Sequence, residues 1–199
     1  MKLLYSSASP YSSKVRMAAH HAGIAIESEK VVTSDDPALL IDNNPLGKIP
    51  TLVIGNGQSV YDSVAINRHL DRLSGGKLYP ADAEAGLRAD VLEALGDGIA
   101  DCLLAIQYEH RMRPPEKVYQ GWIDKQWTKA GRALDALNAN PPAFGETLTA
   151  GDFALAATLG YLALRFPGPW EEGRANLLNW IAEFEKRFPA WTELKPLAS

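Results

Sequence analysis

The chain has 199 residues and a formal net charge of −4, and its 46% hydrophobic and 22% charged residues are typical of a globular protein that buries a core. The negative charge argues against nucleic acid or an anionic membrane as the main partner, and no run of about 18 apolar residues predicts a transmembrane helix. The single cysteine, Cys102, excludes disulfides within the chain. Together with an N-terminal apolar run too short for a signal peptide, this predicts a cytoplasmic protein.

The first part of the chain is predicted to alternate strands and helices. Residues 1–5 form a short apolar strand. A helix follows from Pro10 to about Ala22, because Ser9 precedes a proline at the first helical position and Gly23 suits the end of a helix. The alternation of residue types over 26–32 indicates a second, half-exposed strand.

The segment 44–63, NPLGKIPTLVIGNGQSVYDS, reads as a loop, a hairpin and the start of a helix. Residues 51–54 are β-branched and apolar, the turn 55–57 is Gly-Asn-Gly, and 58–61 return as the paired strand. Asp62-Ser63 then precede apolar residues at helical spacing, so Asp62 is placed to cap a helix. This strand–strand–helix unit completes a βαβ-ββα order.

The second part of the chain is predicted to be helical. A stretch rich in helix breakers, residues 74–80, is the candidate linker. Long amphipathic patterns follow it, ended in turn by Pro114-Pro115, by Pro141-Pro142 and by Phe188-Pro189. The predicted helices span residues 84–111, 116–137, 153–164 and 176–187.

The first of these helices carries an apolar stripe that predicts its buried face. Cys102 lies on the stripe and is therefore expected to be a small core residue. The stripe consists of Leu87, Val91, Leu95, Ile99, Cys102 and Ile106. Three leucines lie off the stripe, Leu92, Leu103 and Leu104, and are expected either to face a partner subunit or to pack within the helical domain.

Leu148-Thr149 and Asp152 form a capping motif before the third long helix. Thr149 can accept a hydrogen bond from the Asp152 backbone N–H while the Asp152 carboxylate accepts one in return. The helix that follows, 153–164, is mostly apolar, so we expect the motif to stabilise a buried helix.

The hairpin segment also offers groups that suit a small peptide ligand. Pro50 cannot donate to a strand ladder, which leaves the backbone of Ile49 available to another partner. Asp62-Ser63 place a hydroxyl and free N–H groups at a helix N-terminus, where a carboxylate is stabilised.

In its order and separation of motifs, nearly the whole chain resembles the glutathione transferase family. The resemblance implies an α+β protein, with a thioredoxin-like domain over residues 1–79 and an all-helical domain over 80–199. It implies glutathione as co-substrate, a small electrophile as second substrate and a homodimer. By the same resemblance, Ile49 before a cis Pro50 pairs with the cysteinyl part of glutathione, and Asp62 and Ser63 hold its γ-glutamyl carboxylate.

The residue that faces the glutathione thiol is expected where the first strand meets the first helix. The resemblance to serine- and cysteine-type members assigns this role to Ser9, whose hydroxyl can cap the helix and still donate to sulfur. Tyr5 and Ser7 are the alternatives, because other classes use a tyrosine on this strand and the run of serines leaves the register open.

Several other side chains are placed near the site by the resemblance alone. Lys48 precedes Ile49 and is expected either to reach a glutathione carboxylate or to stay solvated. Asp101 is expected either to reach the glutathione amine of a partner subunit or to be a surface charge. Three residues are expected near the electrophile pocket: Tyr108, Arg111 and Arg113.

No metal and no nucleotide cofactor is predicted. The four histidines, His20, His21, His69 and His110, have no ligand spacing with one another or with Cys102. The chain also has no glycine-rich dinucleotide motif or P-loop.

The resulting functional hypothesis is conjugation of glutathione to a small electrophile, typical of detoxification. A glutathione-dependent reductase, isomerase or dehalogenase is the alternative, although reductases of this family usually carry a cysteine at the start of the first helix. A non-catalytic interaction module with the same fold is the other alternative.

Overall fold

The computed structural model describes residues 1–198 and begins with a four-stranded mixed sheet. The strands lie in the order β2-β1-β3-β4, with β1 and β2 parallel and β3 antiparallel to both β1 and β4. This is the sheet expected from the βαβ-ββα order. The strands are β1 (Lys2–Tyr5), β2 (Glu27–Lys30), β3 (Thr51–Gly55) and β4 (Gln58–Val60).

Three helices accompany the sheet: α1 (Pro10–Ala22), α2 (Ala38–Ile41) and α3 (Ser63–Ser74). The bounds of α1 agree with the prediction, because Ser9 caps its N-terminus and Gly23 ends it with a φ of 73°. The short α2 was not predicted. It has only four residues and no side-chain cap, so its sequence carries too little periodic signal.

The rest of the chain is helical, which confirms the predicted fold class of a thioredoxin-like part followed by an all-α part. The helices are α4 (Ala83–Met112), α5 (Gln120–Ala139), α6 (Ala150–Arg165), α7 (Ala175–Arg187) and α8 (Trp191–Leu194). None of the helices within residues 1–198 is both long and apolar enough to cross a membrane. The division at residue 79 stays a prediction.

The start of α5 differs from the prediction, which began this helix at residue 116. Residues Pro115–Lys117 form a separate 3-10 turn instead. The Glu109 carboxylate accepts a hydrogen bond from the Tyr119 backbone N–H at 3.1 Å, which holds the chain out of a continuous helix until Gln120. Trp122, in the first turn of α5, is 41% exposed.

Helix α6 lies at the centre of the helical part, since every residue from position 150 to 162 is buried. The predicted capping motif at its start is confirmed. The Asp152 Oδ2 atom accepts from the Thr149 backbone N–H at 2.7 Å, and Thr149 Oγ1 accepts from the Asp152 N–H at 3.4 Å.

The predicted buried face of α4 is wrong in its first half. Leu87 and Val91 are 62% and 57% exposed, whereas Leu103, predicted off the stripe, is fully buried. The reason is that α4 meets α6 through small residues: a Cβ on Gly96 would lie 2.9 Å from the Ala154 backbone carbon. At this point α4 and α6 are too close together to accommodate leucine side chains between them. The other stripe residues are buried or half-buried, as are Leu92 and Leu104 against the core.

Candidate functional site

The strand register brings three sequence motifs to one end of the sheet. Leu4, near the end of β1, pairs with Thr51 at the start of β3, and Val60 at the end of β4 pairs with Leu52. The loop after β1, the loop before β3 and the start of α3 therefore meet at the same edge. Both α1 and α3 begin there, so the positive ends of two helix dipoles point toward this edge.

Ser9 lies at the N-terminus of α1 and is partly exposed. Its Oγ accepts a hydrogen bond from the Ser12 backbone N–H at 3.2 Å. Because the hydroxyl is used here only as an acceptor, its own proton is free to donate to a ligand atom at the edge. The capping and donating roles considered from the sequence are thus compatible in this geometry.

The loop before β3 presents the backbone of Ile49 to the same edge. The Ile49–Pro50 peptide bond is cis, as expected. Neither the N–H nor the C=O of Ile49 makes a backbone hydrogen bond within residues 1–198. The preceding carbonyl, that of Lys48, accepts from Asn44 Nδ2 at 2.9 Å and from Thr51 Oγ1 at 2.8 Å. These part-buried contacts hold the loop while leaving the N–H and C=O of Ile49 without a backbone partner.

The sequence placed Asp62 as the cap of α3 and assigned both Asp62 and Ser63 to a ligand carboxylate. In the structure, the hydrogen bonds of the two residues differ. Asp62 caps α3, because its Oδ1 accepts from the backbone N–H groups of Val64 at 3.1 Å and Ala65 at 3.3 Å. Ser63 is the first helical residue and is 3% exposed, and its hydroxyl makes no hydrogen bond within residues 1–198. The Ser63 hydroxyl is thus unpaired at the N-terminus of α3, where the helix dipole favours a negative charge.

Tyr11, two residues after Ser9, lies close to an acidic residue and to a second tyrosine of the helical part. The Tyr11 hydroxyl donates to the Asp101 carboxylate of α4, joining the first turn of α1 to the helical part. Burial and this carboxylate raise the pKa of Tyr11. Tyr161 of α6 is 5% exposed, and burial raises the pKa of its phenol to about 12, so it stays protonated at neutral pH. This cluster was not predicted, although Asp101 and Tyr108 were placed nearby.

A buried ionic cluster, which was also not predicted, joins α1 to its neighbouring helices. Lys14 is 1% exposed, and its ammonium lies 2.6 Å from Asp97 Oδ2 and 3.1 Å from Glu93 Oε1. The second Glu93 oxygen accepts from the Tyr79 hydroxyl at 2.6 Å, and Asn67 Nδ2 of α3 donates to the first at 3.3 Å. The cluster joins α1, α3 and α4, the three helices that carry the candidate site. The sequence analysis missed this cluster because its lysine and its two carboxylates lie far apart in the chain and leave no local pattern.

The alternative thiol-facing residues are both more buried than Ser9. Tyr5 is 8% exposed with its ring under the Arg16 guanidinium, 4.9 Å from the ring centroid, and Ser7 is 7% exposed. Which of the three faces a thiol stays a prediction, and Ser9 is favoured because it is the least buried of them and lies at the N-terminus of α1.

The remaining candidates lie at the surface or in the core. Lys48 is exposed, and Arg113 pairs with Glu109 at 2.7 Å. Cys102 packs against the core, and burial raises the pKa of its thiol. Within residues 1–198, no three ligand side chains are grouped to hold a metal ion.

Comparison with known proteins identifies the family. The sequence model of the glutathione S-transferase N-terminal domain matches residues 8–73, and that of the C-terminal domain matches residues 120–183. An uncharacterized GST-like protein of Escherichia coli K12, YibF, is 28% identical over 94% of this chain and 95% of its own length.

Two crystal structures with glutathione bound are similar over nearly their whole length. A glutathione S-transferase of Methylobacillus flagellatus is 34% identical with a TM-score of 0.89, covering 98% of this chain and 99% of its own. A glutathione transferase family member of Pseudomonas fluorescens Pf-5 is 35% identical with a TM-score of 0.87, covering 99% of each chain. With both domains matched and relatives above 30% identity aligned end to end, the chain belongs to the glutathione S-transferase family.

Proposed function

We propose that this protein binds glutathione at the edge formed by Ser9, Ile49-Pro50 and Asp62-Ser63, and transfers it to a small electrophile. The observation that carries the proposal is the convergence of three unpaired groups at that edge: the Ser9 hydroxyl proton, the Ile49 backbone and the Ser63 hydroxyl. The relatives solved with glutathione bound support the choice of ligand.

Each of these groups suits a different part of glutathione. The γ-glutamyl carboxylate accepts from the Ser63 hydroxyl and from N–H groups in the first turn of α3, where the helix dipole favours an anion. The N–H and C=O of Ile49 pair with the cysteinyl peptide unit, as one strand pairs with another. This placement brings the cysteinyl sulfur next to the N-terminus of α1.

Ser9 favours the thiolate there. Its Oγ–H donates to the sulfur, and the positive end of α1 adds to the stabilisation, so the thiol loses its proton to solvent more readily. The thiolate sulfur then forms a bond to the electrophilic carbon while the bond from that carbon to the leaving group breaks. The leaving group departs with the electron pair. A halide leaves as the anion and the proton of the thiol stays in solvent, whereas the alkoxide of an opened epoxide takes up a proton.

The electrophile is proposed to bind between α1 and the helical part, beside Tyr11 and Tyr161. Both phenols stay protonated at neutral pH, and the Tyr11 hydroxyl is already donated to Asp101. The site therefore combines apolar ring surface with a weakly polar wall, which suits an uncharged, partly aromatic acceptor better than a strongly charged one.

Turnover with a panel of electrophiles tests the proposed reaction. The panel contains an aryl halide, an epoxide, an organic peroxide and a mixed disulfide, each with glutathione. Ser9→Ala is expected to lower kcat/KM for the aryl halide about ten- to a hundredfold, since it removes the only proposed donor to the sulfur. Ser34→Ala, at an exposed serine that is not one of the proposed glutathione contacts, is the matched control. Activity confined to the mixed disulfide, or unchanged by Ser9→Ala, would contradict the assignment.

The proposal includes a two-fold symmetric homodimer in the cytoplasm. Leu87 and Val91 of α4 and Leu73 of α3 are each more than half exposed, and an Arg68–Asp90 ion pair holds the two helices side by side. A two-fold axis lets such an apolar patch meet its own copy. This patch replaces the leucines suggested by the sequence, because Leu103 is buried within the protomer. Whether Asp101 reaches a partner subunit's ligand stays a prediction.

Sedimentation tests the dimer. The parent protein is expected to sediment as a dimer at micromolar concentration. Val91→Glu places a charge in the proposed interface and should shift it to the monomer of 21.7 kDa. Val32→Glu is the matched control, since Val32 is similarly exposed, at 59%, but lies outside α3 and α4, the two helices that carry the patch. A monomeric parent, or a dimer that withstands Val91→Glu, would argue against this interface.

A further inference from the structure

Residues 191–197, here called the C-terminal segment, contact the chain on both sides of Ser9, once in the loop before α1 and once in α1. The Leu197 backbone N–H donates to the carbonyl of Ser7 at 3.0 Å, two residues before Ser9. The Ser13 hydroxyl donates to the carbonyl of Leu194 at 2.5 Å, four residues after Ser9. The turn that carries Ser9 is thus attached to the same segment at two points.

The C-terminal segment is itself seated closely against α6. A Cβ on Gly160 would lie 2.7 Å from Trp191 Cη2 and 2.8 Å from Pro196 Cδ, so the segment occupies the space that a side chain at this position would need. Trp191 is 4% exposed, and Pro196 is also buried. Because α6 is the most buried helix of the protein, the C-terminal segment packs against a rigid part of the structure.

Ser9 is attached to the first turn of α1, because its Oγ and its carbonyl accept from the N–H groups of Ser12 and Ser13 at 3.2 and 3.0 Å. The loop residues before Ser9 have few restraints apart from the C-terminal segment. Ser9 N–H donates to the Ser6 carbonyl at 3.2 Å, a contact within the loop itself. Ser7 is only 7% exposed, and its carbonyl finds its partner in Leu197 rather than in the sheet. Without that partner, the loop would shift to bring the carbonyl to water, because a buried carbonyl without a hydrogen bond is costly.

We infer that Leu197 is a positioning residue: its backbone N–H fixes the Ser7 carbonyl and so holds the Ser9 hydroxyl in place for the glutathione sulfur. This inference rests on the proposed function, because it matters only if Ser9 donates to a thiolate. A hydroxyl donates well only within about 0.3 Å of its best distance to the acceptor, so a small shift of the loop weakens the bond to sulfur. Residues nearly two hundred positions apart in the chain thereby control one hydrogen bond.

Substitutions at position 197 separate the backbone N–H from the side chain. Leu197→Pro removes the N–H, whereas Leu197→Ala keeps it and trims a side chain that is 38% exposed. A chain ending at Pro196 removes the donor without imposing a proline and serves if Leu197→Pro does not fold. For each protein, the measurements are the melting temperature, glutathione affinity by calorimetry, the pKa of the bound thiol from its ultraviolet thiolate absorption, and kcat/KM with an aryl halide.

The inference predicts a change at the sulfur that a merely structural role would not produce. In Leu197→Pro and in the shortened chain, the pKa of the bound thiol should rise and kcat/KM should fall about three- to tenfold, with glutathione affinity within about twofold of the parent. Leu197→Ala should match the parent in the pKa of the bound thiol and in kcat/KM. An unchanged thiol pKa in both donor-lacking proteins, with glutathione still bound, would overturn the inference. A parent protein that binds no glutathione would instead overturn the proposed function.

Discussion

Replacing Lys14 by methionine removes the cation of the buried cluster and keeps a side chain of similar length. The Lys14 ammonium lies 2.6 Å from Asp97 Oδ2 and 3.1 Å from Glu93 Oε1, and the lysine is 1% exposed. Breaking a buried ion pair on one side leaves carboxylates without a counter-charge, which typically costs about 3–5 kcal/mol. For a chain of this length, each kcal/mol shifts the melting temperature by about 2–4 °C, so a fall of roughly 6–20 °C is expected.

The pH dependence of this loss distinguishes its cause. Burial raises the pKa of Asp97, and Lys14 opposes that rise. Without Lys14, the folded-state pKa of this carboxyl rises further above its unfolded value, so the folded variant binds more protons than the unfolded chain in the window between the two values. Its stability therefore increases as the pH falls through that window, and the deficit of Lys14→Met should shrink as the pH is lowered from neutral toward the unfolded-state pKa of about 4.

Urea unfolding at several pH values measures the deficit. Lys125→Met is the matched control, because Lys125 is exposed on α5 and makes no ion pair within residues 1–198. It should change stability by less than about 0.5 kcal/mol. A deficit in Lys14→Met that equals that of the control, or that does not depend on pH, would refute the reasoning.

Three further substitutions are predicted to change stability, which thermal unfolding measures. Thr149→Ala removes the N-cap of α6 and should cost about 1 kcal/mol, while calorimetry shows an unchanged glutathione affinity for the folded protein; a loss of affinity with stability intact would contradict the structural role. Gly160→Ala should destabilise by about 1–3 kcal/mol, because its Cβ would lie 2.7 Å from Trp191. Gly131→Ala, whose nearest neighbour would be the Arg174 guanidinium at 4.0 Å, should instead stabilise α5 by about 0.5–1 kcal/mol. Equal changes in stability for Gly160→Ala and Gly131→Ala would argue against close packing of the C-terminal segment on Gly160.

The features predicted well from the sequence depend on neighbouring residues. The cap of α1 by Ser9, its end at Gly23 and the reciprocal bonds of Thr149 and Asp152 each need only a few adjacent positions, and each has the predicted geometry. The hairpin around Gly55 likewise follows from turn chemistry that the local sequence determines.

The features that the sequence did not reveal depend on which elements meet. Apolar periodicity predicts that α4 is amphipathic, yet it does not show that Gly96 brings α6 close or that Leu87 stays exposed. The ion pair of Lys14 with Asp97 joins residues 83 positions apart. The hydrogen bond from Leu197 to Ser7 joins the two ends of the chain through backbone atoms, which leave no pattern in the residue types.

The central claim is that glutathione binds at the edge where α1 and α3 begin, and calorimetry with Ser63→Ala tests it most directly. The substitution removes the unpaired hydroxyl at the start of α3 and should weaken glutathione binding by about 1–3 kcal/mol, which is roughly a 5- to 150-fold rise in Kd. Ser74→Ala, at the opposite end of the same helix, removes only a bond to the Asp71 carbonyl and should leave the affinity unchanged. Equal glutathione affinity in Ser63→Ala and the parent would contradict the account.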